Sequence, residues 1–387
     1  MKILGIIAEY NPFHMGHKYH IDRSREAIAP DYVVAVMSGN FTQRGEGAVL
    51  DKWERSRLAV INGVDAVFEL PFFFACNRAE NFAKGAVGIL EGLGATHISF
   101  GSESGDLEEL ERVSRGILDK KEEIAFLRHA LMKEGSSYAR SGEIAIGRVL
   151  GQDFATLIKE PNNILAVEYL KSMDSLGAHI QPFTVKRMGS AHHGHGGAAS
   201  IRNMLEEESR DFINLVPEST VRALDKAIDM KMAKERAFHI IKGEIIRSSA
   251  DWLSRIYCIG EGLENKLKKE AMKCNSLDKL VNSIVSRRYT RAAVNRMMIY
   301  LMMGVEDNRS LDCGYARILA ASKAGQELIK RIKKDKLSKL SLITNVNKEY
   351  REDKLLETDI LAGDMYNLIC GRDSYRYSDR VMKPFME

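Results

Sequence analysis

The chain has 387 residues, 45% hydrophobic and 28% charged, with a formal net charge of +4, the composition of a globular protein of two or three domains. No apolar run reaches the roughly 20 residues that cross a bilayer, and the first residues run into a strand pattern without a signal-peptide cleavage site, so a cytoplasmic protein with no membrane contact is expected. Five scattered cysteines (Cys76, Cys258, Cys274, Cys313, Cys370) include no C-x-x-C pair, which argues against a zinc knuckle or a disulfide framework.

Residues 2–9 form a short apolar run ending in a polar side chain, the pattern of a buried parallel strand. The loop Tyr10, Asn11, Pro12, Phe13 follows, then a predicted helix from about 17 to 29, stopped by Pro30. Residues 31–37 read as a second strand with the exit loop 38–45. A helix over 51–62, a strand over 65–70, a helix over 78–92 and a strand over 96–100 come next. Such repeated strand–helix units imply a parallel sheet with right-handed crossovers. The stretch 105–135 is helical and charged, Pro161 opens another helix, and 179–186 reads as a last strand. Residues 188–199 are too rich in glycine for regular structure and are expected to be a mobile loop before a helix near Ser200. Beyond 205 the strand signals fade, and helical periodicity dominates 220–300 and again 315–334. The expected organisation is an α/β, Rossmann-like parallel-sheet domain over 1–205, followed by a mainly α-helical domain over 206–387.

His14-Met15-Gly16-His17 sits where the first strand gives way to the first helix. Ligands of open parallel sheets collect at the carboxyl ends of strands, and a helix N-terminus there offers free N–H groups to phosphate. Gly16 lets a nucleotide approach the backbone. Imidazole N–H groups at His14 and His17 are placed to stabilise negative charge building on an α-phosphate; the bland alternative is a loop with two surface histidines. Lys18 can reach phosphate or sit solvated on its helix. Lys186 and Arg187, closing the last strand, can neutralise a triphosphate.

The segment Asn11-Pro12-Phe13-His14-Met15-Gly16-His17 after a first strand resembles the nucleotidylyltransferase superfamily, related to the catalytic domain of class I aminoacyl-tRNA synthetases. Further blocks narrow the likeness: Met37-Ser38-Gly39-Asn40-Phe41-Thr42-Gln43-Arg44-Gly45, Glu69-Leu70-Pro71, Phe100-Gly101-Ser102-Glu103, Glu160-Pro161-Asn162-Asn163 and Ser200-Ile201-Arg202. With these the chain resembles the bacterial tRNA(Met) cytidine acetate ligase family along essentially its whole length. The resemblance implies that ATP and acetate give acetyl-adenylate and pyrophosphate, and that the wobble cytidine of elongator tRNA(Met) then takes the acetyl group, forming N4-acetylcytidine and releasing AMP. It places ATP contacts at Ile7, Ala8, Glu9, Tyr10, Asn11, Pro12, Phe13, His14, Gly16, His17 and His20, and at Gly101, Asn162 and Arg187. It assigns Ser200 and Arg202 to the β- and γ-phosphates, although Ser200 also reads as a helix N-cap. Magnesium is expected to arrive with ATP, without protein ligands of its own.

Other constellations carry less. His192, His193 and His195 lack the cysteine or carboxylate that would complete a zinc site, so a loop covering the nucleotide is the preferred reading. Lys336-Leu337-Ser338-Lys339-Leu340 looks like the second synthetase signature, but it lies beyond the apparent sheet domain. Residues 251–350 hold 20 Lys and Arg against 11 Asp and Glu. Within them Arg287, Arg288, Tyr289, Arg291 and Arg296, and then Lys333 and Lys334, mix charge with an aromatic ring and can hold RNA; a solvated helical face is the alternative. Tyr375, Arg376 and Tyr377 are undecided between tail packing and RNA contact. Two other functions stay open: a small-molecule nucleotidylyltransferase that adenylates a phosphorylated metabolite, and a non-catalytic RNA-binding protein on the nucleotide fold. The basic helical half speaks against the first and the intact His-x-Gly-His against the second.

Overall fold

The structure, a computed structural model, describes residues 1–187, 197–306, 313–335, 338–346 and 353–387. Five strands, β1 (Ile3–Ala8), β2 (Tyr32–Ser38), β3 (Ala66–Leu70), β4 (His97–Ser102) and β5 (Gln181–Lys186), pair in parallel in the order β5-β4-β1-β2-β3. The chain leaves β1 toward β2 and β3, then returns to lay β4 on the other side of β1. The order therefore reverses between β1 and β4, and the crevice at their carboxyl ends is where an open sheet of this kind takes its ligand.

Burial on both faces explains the strand composition. All seven residues of β2 are buried. Val34 and Val36 face one hydrophobic cluster with Phe68, Leu70, Ile98 and Phe100. Their neighbours Val33, Ala35 and Met37 face a second cluster with Leu4, Ile6 and Val67. A strand packed on both sides must be continuously apolar, which is why these strands are readable from sequence.

The helices α1 (Met15–Ile28) and α2 (Lys52–Ile61) follow β1 and β2. The charged stretch read as helical over 105–135 is two helices, Leu107–Asp119 and Lys121–Lys133. The helix Pro161–Leu176 begins with its proline in the first turn, where the missing N–H costs nothing.

The C-terminal half departs from the sequence reading in three strands that join the sheet. Residues 315–321 were expected to be helical, but Tyr315–Ala321 is a fully buried strand, β6, antiparallel to β3. The short strands β7 (Ser341–Ile343) and β8 (Phe385–Met386) pair with β6 in parallel. Four of the seven β6 residues are alanine or arginine, good helix formers, and tertiary burial overrides that preference. Most of the remainder is helical, as expected, including Met230–Arg247, Arg291–Met303 and Lys354–Cys370. Among the described residues no helix is long and apolar enough to cross a membrane.

A closed ion cluster ties the C-terminal segment to the sheet. Lys52 Nζ lies 2.7 Å from Glu69 Oε1 and 2.6 Å from Asp379 Oδ2. Arg317 Nη1 donates to the same Asp379 oxygen at 2.7 Å. All four side chains are at most 2% exposed. Next to them Asp359 accepts from Phe72 N–H at 2.6 Å and from the Tyr315 hydroxyl at 2.5 Å. Burial, with the Glu69 charge adding to it, pushes the Asp359 carboxyl up to about 8.

Candidate active site

His14 is the N-cap of α1, and His17 stands at its third position. The two form a reciprocal capping box: Gly16 N–H donates to His14 Nδ1 at 3.0 Å, and His14 N–H donates to His17 Nδ1 at 3.2 Å. A ring nitrogen that accepts a backbone N–H carries no proton. In each neutral imidazole the proton therefore sits on Nε2, and that N–H is the group left to offer a ligand. Burial lowers His14 to about 4, with Arg187 adding to the effect. Burial lowers His17 well below its usual range as well, helped by His14 and Arg187. Both rings are thus neutral at pH 7, which lets them stack at 3.7 Å between centroids without charge repulsion.

Aromatic side chains back the pair. Tyr10 meets His17 edge-on at 4.9 Å and Phe13 lies 5.5 Å from it. Tyr10, at φ 47, turns the chain out of β1. Gly16 has a reason nearer than the nucleotide, since a Cβ there would come within 2.8 Å of His14 Cε1. Only glycine lets the cap ring fold over the first turn.

His20, one turn along α1, is bound through Nε2 to the Ser99 hydroxyl. Ser24 Oγ donates to His20 O at 2.7 Å, so its proton is spent. The Ser99 hydroxyl must then donate to Ser24 Oγ, 2.7 Å away, and accept from His20 Nε2 at 2.8 Å. That leaves His20 Nδ1 as an acceptor, suited to a hydroxyl rather than a phosphate. Burial, then Arg187, lowers this ring to about 4 too.

Across the crevice, β4 ends in Gly101 and Ser102, and Glu103 follows it. Arg187, just past β5, donates its backbone N–H to Ser102 O at 3.0 Å and lays its side chain 3.3 Å from where a Gly101 Cβ would be. Its Nη1 reaches Asn162 Oδ1 at 3.4 Å. Asn162 is held in turn by Glu103 Oε1, which accepts its Nδ2 at 2.5 Å. Glu103 Oε2 accepts Asn163 N–H at 2.9 Å, and Asn163 Oδ1 accepts Glu103 N–H at 2.9 Å. A carboxylate at this helix N-terminus fixes the amide that aims the guanidinium. Gly101, Asn162 and Arg187 are thereby brought together, and Arg187 lies close enough to act on all three histidines.

The remaining expected ATP residues line or support the loop. Ile7 and Ala8 end β1 and are half-buried. Glu9 accepts Gln43 N–H at 2.7 Å, and burial raises its carboxyl while that hydrogen bond opposes the shift. Asn11 Oδ1 accepts Val49 N–H at 2.9 Å, and Pro12 and Phe13 are buried. Lys186 is exposed at the end of β5. Lys18 pairs with Asp22 at 3.0 Å on the outer face of α1. Ser200 is not a cap: the helix Ala198–Glu206 is preceded by Gly197, and Ser200 lies in its first turn. Arg202 donates to Asn11 O at 2.9 Å and stands 4.0 Å from Glu46. The histidines 192, 193 and 195, and Lys336 and Leu337 of the synthetase-like stretch, lie outside the described residues.

Sequence reasoning missed Arg55. Fully buried in α2, it donates to Leu50 O at 2.9 Å, Glu9 O at 2.6 Å, Ser38 O at 3.1 Å and to Gly39 O. It thus gathers the ends of β1 and β2 and sets a positive charge beneath the crevice. The signal was present: Lys52, Arg55, Ser56 and Ala59 share one helical face, and charge on a face that must pack is a mark of buried pairing. Glu103 was missed as a positioner although its motif was noticed.

The basic residues are unequally engaged. Arg288 pairs with Glu261, Arg291 with Asp278 at 2.5 Å, and Tyr289 O–H reaches Glu261 at 3.5 Å. Arg296 donates to Gln43 O at 3.1 Å. Arg287, Lys333 and Lys334 are exposed. In the tail, Arg376 lies over the Tyr377 ring at 5.8 Å, and Tyr375 is 81% exposed.

Comparison with known proteins agrees with this geometry. A family model of HIGH nucleotidyl transferases matches residues 1–380. A Thermoanaerobacter protein named tRNA(Met) cytidine acetate ligase is 38% identical over 389 residues, covering 95% of each chain. Its namesake from Caldicellulosiruptor saccharolyticus is 36% identical over 384 residues, 95% of this chain and 94% of that one. The crystal structure of Thermotoga maritima TmcAL bound with alpha-thio ATP superimposes with a TM-score of 0.91 at 30% identity, over 100% of this chain and 99% of the other. The apo form of that protein gives a TM-score of 0.90. The chain belongs to the HIGH nucleotidyl transferase family, in the group whose members are named tRNA(Met) cytidine acetate ligase.

Proposed function

We propose that this chain is an ATP-dependent ligase that activates acetate and transfers the acetyl group to the wobble cytidine of elongator tRNA(Met). In the first step an acetate oxygen attacks the α-phosphorus of ATP. The bond from that phosphorus to the bridging oxygen breaks, and pyrophosphate leaves. In the second, the N4 amine of cytidine attacks the acetyl carbon, the carbon–oxygen bond to phosphate breaks, AMP leaves, and the nitrogen loses a proton. Acetate needs this activation because oxide is no leaving group for an amine to displace. The protein's work is positioning and charge stabilisation.

The observation that carries the reading is the pair of neutral imidazoles whose Nε2–H groups are left over at the crevice between β1 and β4. His14 and His17 donate to the α-phosphate as charge builds there, and Arg187, aimed by Asn162, holds the triphosphate. His20 accepts a hydroxyl of the nucleotide. Ser200, Arg202, Lys186 and Lys18 are assigned to the outer phosphates, which requires Lys18 to leave Asp22. Magnesium accompanies ATP. Residues 1–205 form the catalytic part and 206–387 the RNA-binding part, with Arg287, Arg288, Tyr289, Arg291, Arg296, Lys333 and Lys334 on the tRNA side. With tRNA as substrate, the enzyme is placed in the cytoplasm.

The test is incubation with ATP and labelled acetate, with and without tRNA. Pyrophosphate release that depends on acetate, followed by label in tRNA, is expected. Turnover with a phosphorylated metabolite and none with acetate would replace this reading by the small-molecule nucleotidylyltransferase.

A further inference from the structure

Residues 41–47 make a tight turn after β2. Phe41 and Gly47 form an antiparallel bridge. Thr42 N–H donates to Glu46 O at 2.9 Å and Gly45 N–H to Thr42 O at 3.0 Å. The turn is fastened from several directions. The Glu9 carboxylate holds Gln43 N–H at 2.7 Å, and Arg296 holds Gln43 O at 3.1 Å. Gly45, at φ 75, sits so close to the helix Arg291–Met303 that a Cβ would lie 2.4 Å from Arg296 N. Glu46 stands 4.0 Å from Arg202.

The backbone of Arg44 is therefore fixed between two others. Its side chain is not: it is exposed, with no hydrogen bond or ion pair among the described residues. The arginines that reach this turn or Glu9 are committed, Arg55 and Arg296 to backbone carbonyls and Arg202 to Asn11 O and Glu46. The turn also occupies a defined place. One side is Glu9, which leads into the His-x-Gly-His loop; the other is the helix whose leading loop carries Arg287.

We infer that Arg44 is an RNA contact, its guanidinium binding a backbone phosphate beside the cytidine that enters the adenylate site. This rests on the tRNA acetate ligase reading. A base that reacts must leave its stack, and its flanking phosphates then have to be held at the lip of the site. An arginine on a rigid turn meets a phosphate oxygen pair with its planar fork while little backbone freedom remains to be lost.

The test compares full-length wild type, Arg44→Ala and Arg44→Lys in two assays: acetate-dependent ATP–pyrophosphate exchange without tRNA, and acetyl transfer to tRNA over a range of salt. Exchange is expected to stay within about twofold in all three, while the kcat/KM for tRNA of the alanine variant falls on the order of tenfold and its log–log salt slope shrinks by about one. The lysine variant recovers the slope and part of the rate, since it keeps the charge and loses the fork. Wild-type transfer and slope in Arg44→Ala would overturn the inference. So would exchange falling in step with transfer, which would move Arg44 onto the nucleotide. A wild type that exchanges but never labels tRNA would instead break the functional reading beneath it.

Discussion

Two polar clusters are built at this sheet, and they are built to opposite purposes. At the boundary of β3 and β6, Lys52, Glu69, Arg317 and Asp379 neutralise one another and are shut away from solvent. At the reversal point between β1 and β4, His14, His17, Asn162 and Arg187 are fixed from behind, by the capping box, by Glu103 and by one another, and the Nε2–H groups of the two imidazoles have no partner among the described residues. Burial of charge alone marks the first cluster as structure. A free donor on rigid backing marks the second as a site.

The largest effect is expected where the closed cluster is opened. Asp379→Ala removes the carboxylate shared by Lys52 and Arg317 and leaves net positive charge buried. It should cost about 3–5 kcal/mol in urea unfolding, with acetate-dependent exchange of the folded fraction unimpaired. A loss below about 1 kcal/mol would mean that this carboxylate does not fasten the C-terminal segment. His14→Ala and His17→Ala should do the reverse. Adenylation falls on the order of 10²–10³-fold, while stability changes by roughly the 1 kcal/mol of a lost cap. Near-normal exchange in both variants would remove the imidazoles from the chemistry.

The pH dependence sharpens the contrast. His14 and His20 are lowered to about 4 by burial and Arg187, against about 6.5 in the unfolded chain. Below 6.5 the unfolded state binds protons that the native rings refuse, so stability is full above that value and declines as pH falls toward 4. Adenylation, resting on neutral N–H donors, should hold level from about pH 7 to 8.5. A tenfold fall per unit across that window would show that an imidazolium is required. The smallest effect expected is in RNA binding. Arg287→Ala should weaken tRNA affinity by severalfold and reduce its salt dependence, and Arg288→Ala, whose guanidinium is already paired with Glu261, by less.

The inner parallel strands were legible because they are buried on both faces and therefore largely apolar. The same rule failed at β6, where alanine and Arg317 imitate a helix and the partner that makes the arginine tolerable, Asp379, lies 62 residues away. Within the site, the motif located the two imidazoles and its helix end. Their tautomers were not readable, because these depend on which backbone N–H each Nδ1 accepts. Nor were the four carbonyl partners of Arg55, which come from three separate segments, although its place on a packed helical face was a signal of burial. Local pattern carries the elements; long-range pairing of polar groups is settled only when the chain has folded.

One experiment reaches the middle of this account: ¹⁵N spectra of the ring nitrogens of His14 and His17 at pH 7, recorded before and after addition of a non-hydrolysable ATP analogue. Both rings should be neutral with the proton on Nε2, and the Nε2 signals should move when the analogue binds. Protonation on Nδ1, a charged ring at neutral pH, or Nε2 signals indifferent to the nucleotide would contradict it.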